Sequence, residues 1–332
     1  MAEAILLVGG FGTRLRPLTN ARPKPMLPLA TLPVTEHQIA MVRRAGIKRI
    51  VLATSYLAEV FTPYFGDGSK WDMEILYAVE SEPLGTGGAI GNGAQLLSGN
   101  TEVVVLNGDV LSSHEISSQL QFHKESSADI TLHLTPVADA RAYGCVPIDK
   151  EGRVTDFLEK MDQPLTNTIN AGCYIFDPKV IESIPPNQAI SVERETFPNA
   201  VANHLKVMGY QAEDYWLDIG TPAALMKGSR DLVTGAADGD ALDRYQFAHR
   251  DLDYISMTRL ANQTIASGGS AIGALCALED CSIESSIISD GVEAKECIIR
   301  NSFVEMGAKL PTGMVIESSF VDIDGEIYPF MG

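Results

Sequence analysis

Glycines at 9, 10 and 12, followed by Arg14, Arg16, Arg22 and Lys24, are the residues of this chain whose spacing points most directly to chemistry. They stand in LLVGGFGTRLRPLTNARPKPMLP, residues 6–28, where an apolar run ends and a turn must begin. Without a Cβ, Gly9, Gly10 and Gly12 let backbone amides approach a phosphate closely. The four cations fall within eleven residues, beside that cradle. Arg14, Arg16 and Lys24 would neutralise a triphosphate and the charge growing on a departing pyrophosphate. The spacing matches neither G-x-x-x-x-G-K-[ST] nor G-x-G-x-x-G, because Leu15 stands where the second pattern needs its third glycine. Pro23, Pro25 and Pro28 bracket Lys24, which a solvated surface turn does not require.

Acidic residues that could work with such a loop stand after two short runs. Asn107-Gly108-Asp109 ends the run Val103 to Leu106, and a carboxylate at the carboxyl end of a central strand lies in the crevice where open α/β sheets bind ligands. Asp218, in WLDIGTP, is the second candidate. Each alone reads equally well as a cap or turn former. A magnesium ion needs only one or two protein carboxylates, the remaining oxygens coming from water and phosphate. In ESEPLGTGG, residues 80–88, Gly85, Gly87 and Gly88 would let the main chain pack against a base and read a purine through amides and carbonyls. Tyr143-Gly144, Glu159-Lys160 and Asn170-Ala171-Gly172 are weaker: a solvated ion pair and ordinary turns explain them as well as contacts to a sugar phosphate do.

Apolar runs at Ala4 to Val8, Arg49 to Ala53, Glu74 to Val79, Glu102 to Leu106 and Asp129 to Leu134 must position these groups. They alternate with helical spacing over Thr35 to Ala45, closed by Gly46, and over Ile116 to Lys124, the pattern of βαβ units. From about Thr234 the text GAADGDALDRYQ reads as a linker. Beyond it Ile272 and Leu278, then Val292, Ile298, Val304, Leu310 and Ile316, recur every six residues, with a loop or bulge expected between Leu278 and Val292. A period of six fits neither helix nor strand and marks a parallel β-helix. The expected organisation is a catalytic domain over 1–233, a linker over 234–265 and a short β-helix over 266–332.

A net charge of −18 argues against a nucleic-acid or anionic-membrane surface and leaves anion binding to a local basic site. Five scattered cysteines suit reduced, buried thiols in the cytoplasm, and no apolar run approaches the roughly 20 residues of a membrane span.

Residues 6–28 closely resemble the sugar-nucleotidyltransferase signature G-G-x-G-T-R-L-x-P-L-T followed by P-K-P, and the resemblance continues through most of the first 233 residues. It implies an α/β fold, a Rossmann-like mixed and mostly parallel sheet flanked by helices, with a small left-handed parallel β-helix at the C-terminal end. Arg14 and Lys24 become the catalytic cations. Leu7, Gly9, Gly10, Gly12, Thr13, Glu80, Pro83, Gly85, Thr86, Gly88, Asn107 and Gly108 are expected to contact the nucleotide. Tyr143, Gly144, Glu159, Lys160 and Asn170 are expected to hold a sugar 1-phosphate, and Asp109 and Asp218 a Mg2+ ion. Ser191-Val192-Glu193-Arg194-Glu195 with Phe197-Pro198 resembles the guanylyl-transferring branch, so GTP and mannose 1-phosphate are the expected substrates, GDP-mannose and pyrophosphate the products. The base loop lacks the glutamine of thymidylyl-transferring relatives, and Met161 stands where a proline is frequent. Alternatives are a thymidylyl, uridylyl or adenylyl transfer to glucose 1-phosphate, or a non-catalytic regulatory subunit of the same fold. An acyltransferase on the β-helix finds no catalytic histidine there; assembly into a homo-oligomer is the more natural use of that domain.

Overall fold

The computed structural model describes residues 2–330 except 11, 21, 56, 159–161 and 262. By internal contacts the chain divides into two compact units that interleave along the sequence. The first holds Met1–Gly10, Ile39–Gly108 and His114–Trp216, the second Phe11–Gln38, Asp109–Ser113 and Leu217–Gly332.

The first unit is built on a seven-stranded sheet. Its strands are β1 (Glu3–Leu7), β2 (Arg49–Thr54), β3 (Glu74–Val79), β4 (Val103–Asn107), β5 (Ile130–Pro136), β6 (Thr168–Phe176) and β7 (Val207–Gln211), in the order β7-β5-β6-β4-β1-β2-β3. β4, β1, β2 and β3 run parallel, and β6 is antiparallel to both β4 and β5. Because β1 is flanked by β2 on one side and β4 on the other, the direction of winding reverses between β1 and β4, where open α/β sheets place their ligands. Ile5, Val51, Val103, Val105 and Leu132 join one buried core with Tyr174, Phe176 and Phe197, so these strands read as continuous apolar runs.

Among the elements of this unit that could not be read from periodicity, two bear on the site. Helix α2 (Gly85–Ala94) is GTGGAIGNGA, a composition that costs about 1 kcal/mol per glycine relative to alanine. It forms because its glycines admit close packing: a Cβ on Gly88 would lie 2.3 Å from the Gln188 carbonyl oxygen. Asn170-Ala171-Gly172, expected as a turn, lies within β6, and Gly172 has φ 79 against the Asn107 side chain, so the glycine marks an irregular point of a strand.

The second unit contains the start of α1 (Val34–Arg44), the short strands Pro28–Leu29 and Leu32–Pro33, and helix α3 (Pro222–Val233), capped by Thr221 Oγ1 accepting from the Ala224 amide. From Tyr254 to Val321 it is a parallel stack with three strands per turn, closed at its two ends by the antiparallel strands His249–Arg250 and Ile327–Pro329. This sheet begins inside the stretch expected to be a linker. Ile272, Ile288, Val304 and Val321 lie in register on one face, and Ile283, Ile299 and Ile316 on a second. Leu278 and Ala294 continue a third. The spacing along the chain is five or six, and no loop interrupts Leu278 to Val292: Ile283 and Ile288 fill it at intervals of five. Ile298 is accordingly half-buried, while its neighbour Ile299 is fully buried. Turns of positive φ at Leu275, Asp280, Ser285, Gly291, Glu296, Asn301, Gly307, Gly313 and Ser318 make the corners and set that interval.

Candidate active site

In the first unit, β1 ends at Leu7 and β4 at Asn107, side by side in the sheet. The Gly108 amide donates to the Leu7 carbonyl at 3.0 Å, and a Cβ on Gly108 would stand 2.4 Å from that oxygen, so only glycine lets the two strand ends meet. Asn107, Asn170, Tyr143 and Ala171 gather beside them. Asn170 Nδ2 donates to Tyr174 Oη at 2.9 Å, Tyr174 Oη donates to Asn107 Oδ1 at 3.4 Å, and Trp216 Nε1 donates to the Ala171 carbonyl at 2.9 Å. The Tyr143 ring meets Trp216 edge-on, centroids 5.4 Å apart. Gly144 follows Tyr143 in the same segment. Glu159 and Lys160 lie outside the described residues.

The base-loop candidates fold onto residues 188–193. Thr86 Oγ1 donates to Glu193 Oε2 at 2.8 Å and accepts from the Val192 amide at 2.9 Å, and the Gly87 amide donates to the Ile190 carbonyl at 2.8 Å. The Glu193 segment thus buttresses the loop, a role that its sequence suggested only as a capped helix start: Ser191 Oγ does accept from the Arg194 amide. Pro83 precedes the turn into α2, and the Leu84 amide donates to Glu80 Oε2 at 3.3 Å. Burial raises the Glu80 pKa, and its other oxygen, Oε1, is buried with no hydrogen-bond partner among the described residues.

The charged candidates come together in the second unit. Lys24 Nζ donates to Asp109 Oδ2 at 2.8 Å and lies 3.7 Å from Asp218 Oδ1, although 194 positions separate Lys24 from Asp218 in the chain (218 − 24). The Ile219 amide donates to the Asp109 carbonyl at 2.9 Å, which fixes the two acidic segments to each other by main chain. A Cβ on Gly220 would lie 3.0 Å from Asp218 Oδ2 and 3.3 Å from Arg14 Nη2, so the guanidinium converges on the same carboxylate. Gly12 (φ 55) and Thr13 open the turn bearing Arg14, and Thr19 Oγ1 donates to the Gly12 carbonyl at 2.9 Å. Gly9 and Gly10 belong to the first unit. Burial raises the Asp218 pKa, and the Asp109 charge adds to this; Lys24 and Arg14 oppose both. Two carboxylates converging beside a single lysine, the charge of one raising the proton affinity of Asp218, suit a hard divalent cation with oxygen ligands. Asp109, 41% exposed at its side chain, keeps room for water or phosphate on that cation.

A profile of the nucleotidyl transferase family matches residues 3–235. The chain belongs to that family. Enzymes of the family typically use a divalent metal ion, and the two aspartates are suitable oxygen donors for one. Among its relatives, this transferase is 44% identical over 302 residues to the mannose-1-phosphate guanylyltransferase of Mycobacterium tuberculosis, covering 90% of this chain and 82% of that one. Mannose-1-phosphate guanylyltransferase 1 of Arabidopsis thaliana is 39% identical over 238 residues; the match takes in 70% of this chain and 63% of the plant enzyme. The crystal structure of HddC from Yersinia pseudotuberculosis superposes with a TM-score of 0.61 at 28% identity, over 70% of this chain and 99% of that one, and has also been solved complexed with GMP-PN. Among the described residues, no helix is long and apolar enough to cross a membrane.

One further cluster of metal-ligand types, His114, His133 and Asp214, belongs to the first unit. Its rings lie parallel, 3.7 Å apart with 13° between planes, so an ion in the plane of one is out of plane for the other. The cluster is packing, with a consequence for acid stability. Both His133 ring nitrogens are buried without partners among the described residues, and burial, followed by the neighbouring His114, pulls its pKa down to about 2. The unfolded ring takes a proton near pH 6.5, so the stabilisation present at neutral pH is lost as pH falls below that value. Between pH 7 and pH 5 this one side chain should remove about 2 kcal/mol. Urea unfolding at the two pH values measures it, and His133→Phe should flatten the dependence by that amount.

Proposed function

We propose that the protein transfers a guanylyl group from GTP to mannose 1-phosphate, releasing pyrophosphate and GDP-mannose. The observation that carries this reading is the convergence of Lys24, Arg14, Asp109 and Asp218 in one charged cluster. A phosphate oxygen of the sugar 1-phosphate attacks the α-phosphorus in line while the bond to pyrophosphate breaks. That oxygen is already anionic at neutral pH, so no Ser-His-Asp device is needed, and catalysis is positioning and charge neutralisation. Asp109 and Asp218 would hold Mg2+, whose chemistry when bound is to offset the charge of the reacting phosphates. Lys24 and Arg14 stabilise the triphosphate and the pyrophosphate as it departs.

Leu7, Gly9, Gly10, Gly12, Thr13, Asn107 and Gly108 are proposed to line the nucleotide. Tyr143, Gly144, Glu159, Lys160 and Asn170 are proposed to hold the sugar phosphate. Guanine is supported by Glu80 as well as by the names of the relatives: its Oε1, without a partner among the described residues, is an acceptor, and the guanine edge offers N1–H and a 2-amino group, where adenine offers no equivalent pair. Pro83, Gly85, Thr86 and Gly88 would complete this contact. Five free, buried cysteines fit work in a reducing cytoplasm.

The test is a matrix of GTP, ATP, UTP and dTTP against mannose and glucose 1-phosphates, read as pyrophosphate release with and without Mg2+. GTP with mannose 1-phosphate should exceed every other pair by at least about tenfold, and only with the ion. Preference for dTTP and glucose 1-phosphate would overturn the assignment.

A further inference from the structure

The second unit contains an ion pair that the proposed chemistry does not use: Arg22 Nη2 with Glu305 Oε1. Glu305 follows the β-helix strand Phe303–Val304, and its side chain is 8% exposed. Its amide donates to the Val321 carbonyl of the next turn at 2.9 Å, and its carboxylate also accepts from the Met306 amide at 2.7 Å. A buried carboxylate is costly unless a cation meets it. Here the cation comes from 283 positions away in sequence, from the loop that carries Lys24.

Between Arg22 and Lys24 stands a single residue, Pro23 (φ −68), and Pro25 follows Lys24. Proline rings remove rotation about φ on both sides of the lysine. The Met26 amide donates to the Pro23 carbonyl at 2.9 Å and the Leu27 amide to the Lys24 carbonyl at 3.0 Å, closing a tight turn. An anchor at Arg22 is therefore transmitted along a stiff backbone to Lys24, whose ammonium group is held against Asp109 and Asp218.

We propose that Arg22 and Glu305 are a positioning pair through which the β-helix fixes the Lys24 loop for the triphosphate. The proposal rests on the role given above to Lys24. It assigns the β-helix a task inside its own chain, besides any part in assembly.

The full chain, Arg22→Met, Arg22→Lys, Glu305→Gln and the Arg22→Met/Glu305→Gln double variant are compared for kcat, both KM values and thermal unfolding. Arg22→Met and Glu305→Gln should each lower kcat/KM for GTP by about tenfold with a raised KM for GTP, since a misplacement of about 1 Å is costly at a reacting centre. The KM for mannose 1-phosphate should move less than about twofold. Arg22→Lys, which keeps the charge, should recover most of the loss, and the double variant should be no worse than the poorer single one. Partial unfolding alone would lower kcat and leave both KM values in place.

Should Glu305→Gln fail to fold, Arg22→Met decides, because that side chain lies on the loop. Unchanged kcat/KM for GTP in folded Arg22→Met, or losses that multiply in the double variant, would overturn the proposal. A wild-type chain that makes no GDP-mannose would instead sink the reading on which it rests.

Discussion

Asp109→Asn should lower the rate of pyrophosphate release at least about 10²-fold while the protein stays folded. Asparagine keeps the shape of the side chain and leaves untouched the main-chain bond from the Ile219 amide to the Asp109 carbonyl. It removes the charge that faces Lys24 at 2.8 Å and one of the two proposed metal ligands. Because the Asp109 side chain is 41% exposed, the substitution leaves no large buried charge unpaired, and the thermal unfolding midpoint should change little. Lys24 is the more enclosed partner, and it retains Asp218 at 3.7 Å. The expected outcome is a stable, inactive protein whose residual rate no longer responds to Mg2+. A rate within about threefold of wild type, set against the 10²-fold expected, would remove Asp109 from the chemistry.

Arg14→Ala should have an effect of similar size and different character. Arg14 is exposed, in the short turn Thr13–Leu15, with its guanidinium near enough to Asp218 to favour the charged carboxylate. Its removal costs the fold little, so a loss of at least about 10²-fold in kcat/KM for GTP would report a contact made to the triphosphate and its transition state. The two substitutions separate two roles. Losing Asp109 should abolish dependence on the divalent ion, whereas Arg14→Ala should keep that dependence while requiring more GTP. Measuring the rate against Mg2+ and against GTP for both variants tests the division; identical profiles for the two would contradict it.

The sheet and the charged cluster were legible in the sequence for different reasons. Five strands stood out because burial on both faces leaves runs such as Val103-Val104-Val105-Leu106, and the two aspartates because each ends such a run or a short strand. The glycines of the first loop were legible because few other folds need Gly-Gly-x-Gly before a cluster of cations. What escaped detection depends on tertiary packing. Helix α2 contains five glycines in ten residues and is held by contacts with residues 184–190 that no local pattern announces. Strand β6 was obscured by an irregular Gly172. The β-helix was recognisable from its period, yet the register was misplaced at Ile298 because three faces of five or six residues do not repeat at a strict six. Glu305 gave no signal, since a lone glutamate in a polar repeat reads as solvated, and only its burial against Arg22 distinguishes it.

The account stands or falls on Asp109, Asp218, Lys24 and Arg14 forming one centre that receives the phosphates and the metal. A crystal grown with Mn2+ and a non-hydrolysable GTP analogue, read by anomalous scattering at the manganese edge, tests this directly. The account predicts one ion at about 2.0–2.3 Å from oxygens of both Asp109 and Asp218, with the Lys24 ammonium turned from the carboxylates to the phosphates. An ion bound elsewhere, with Lys24 still bridging the two aspartates, would contradict it.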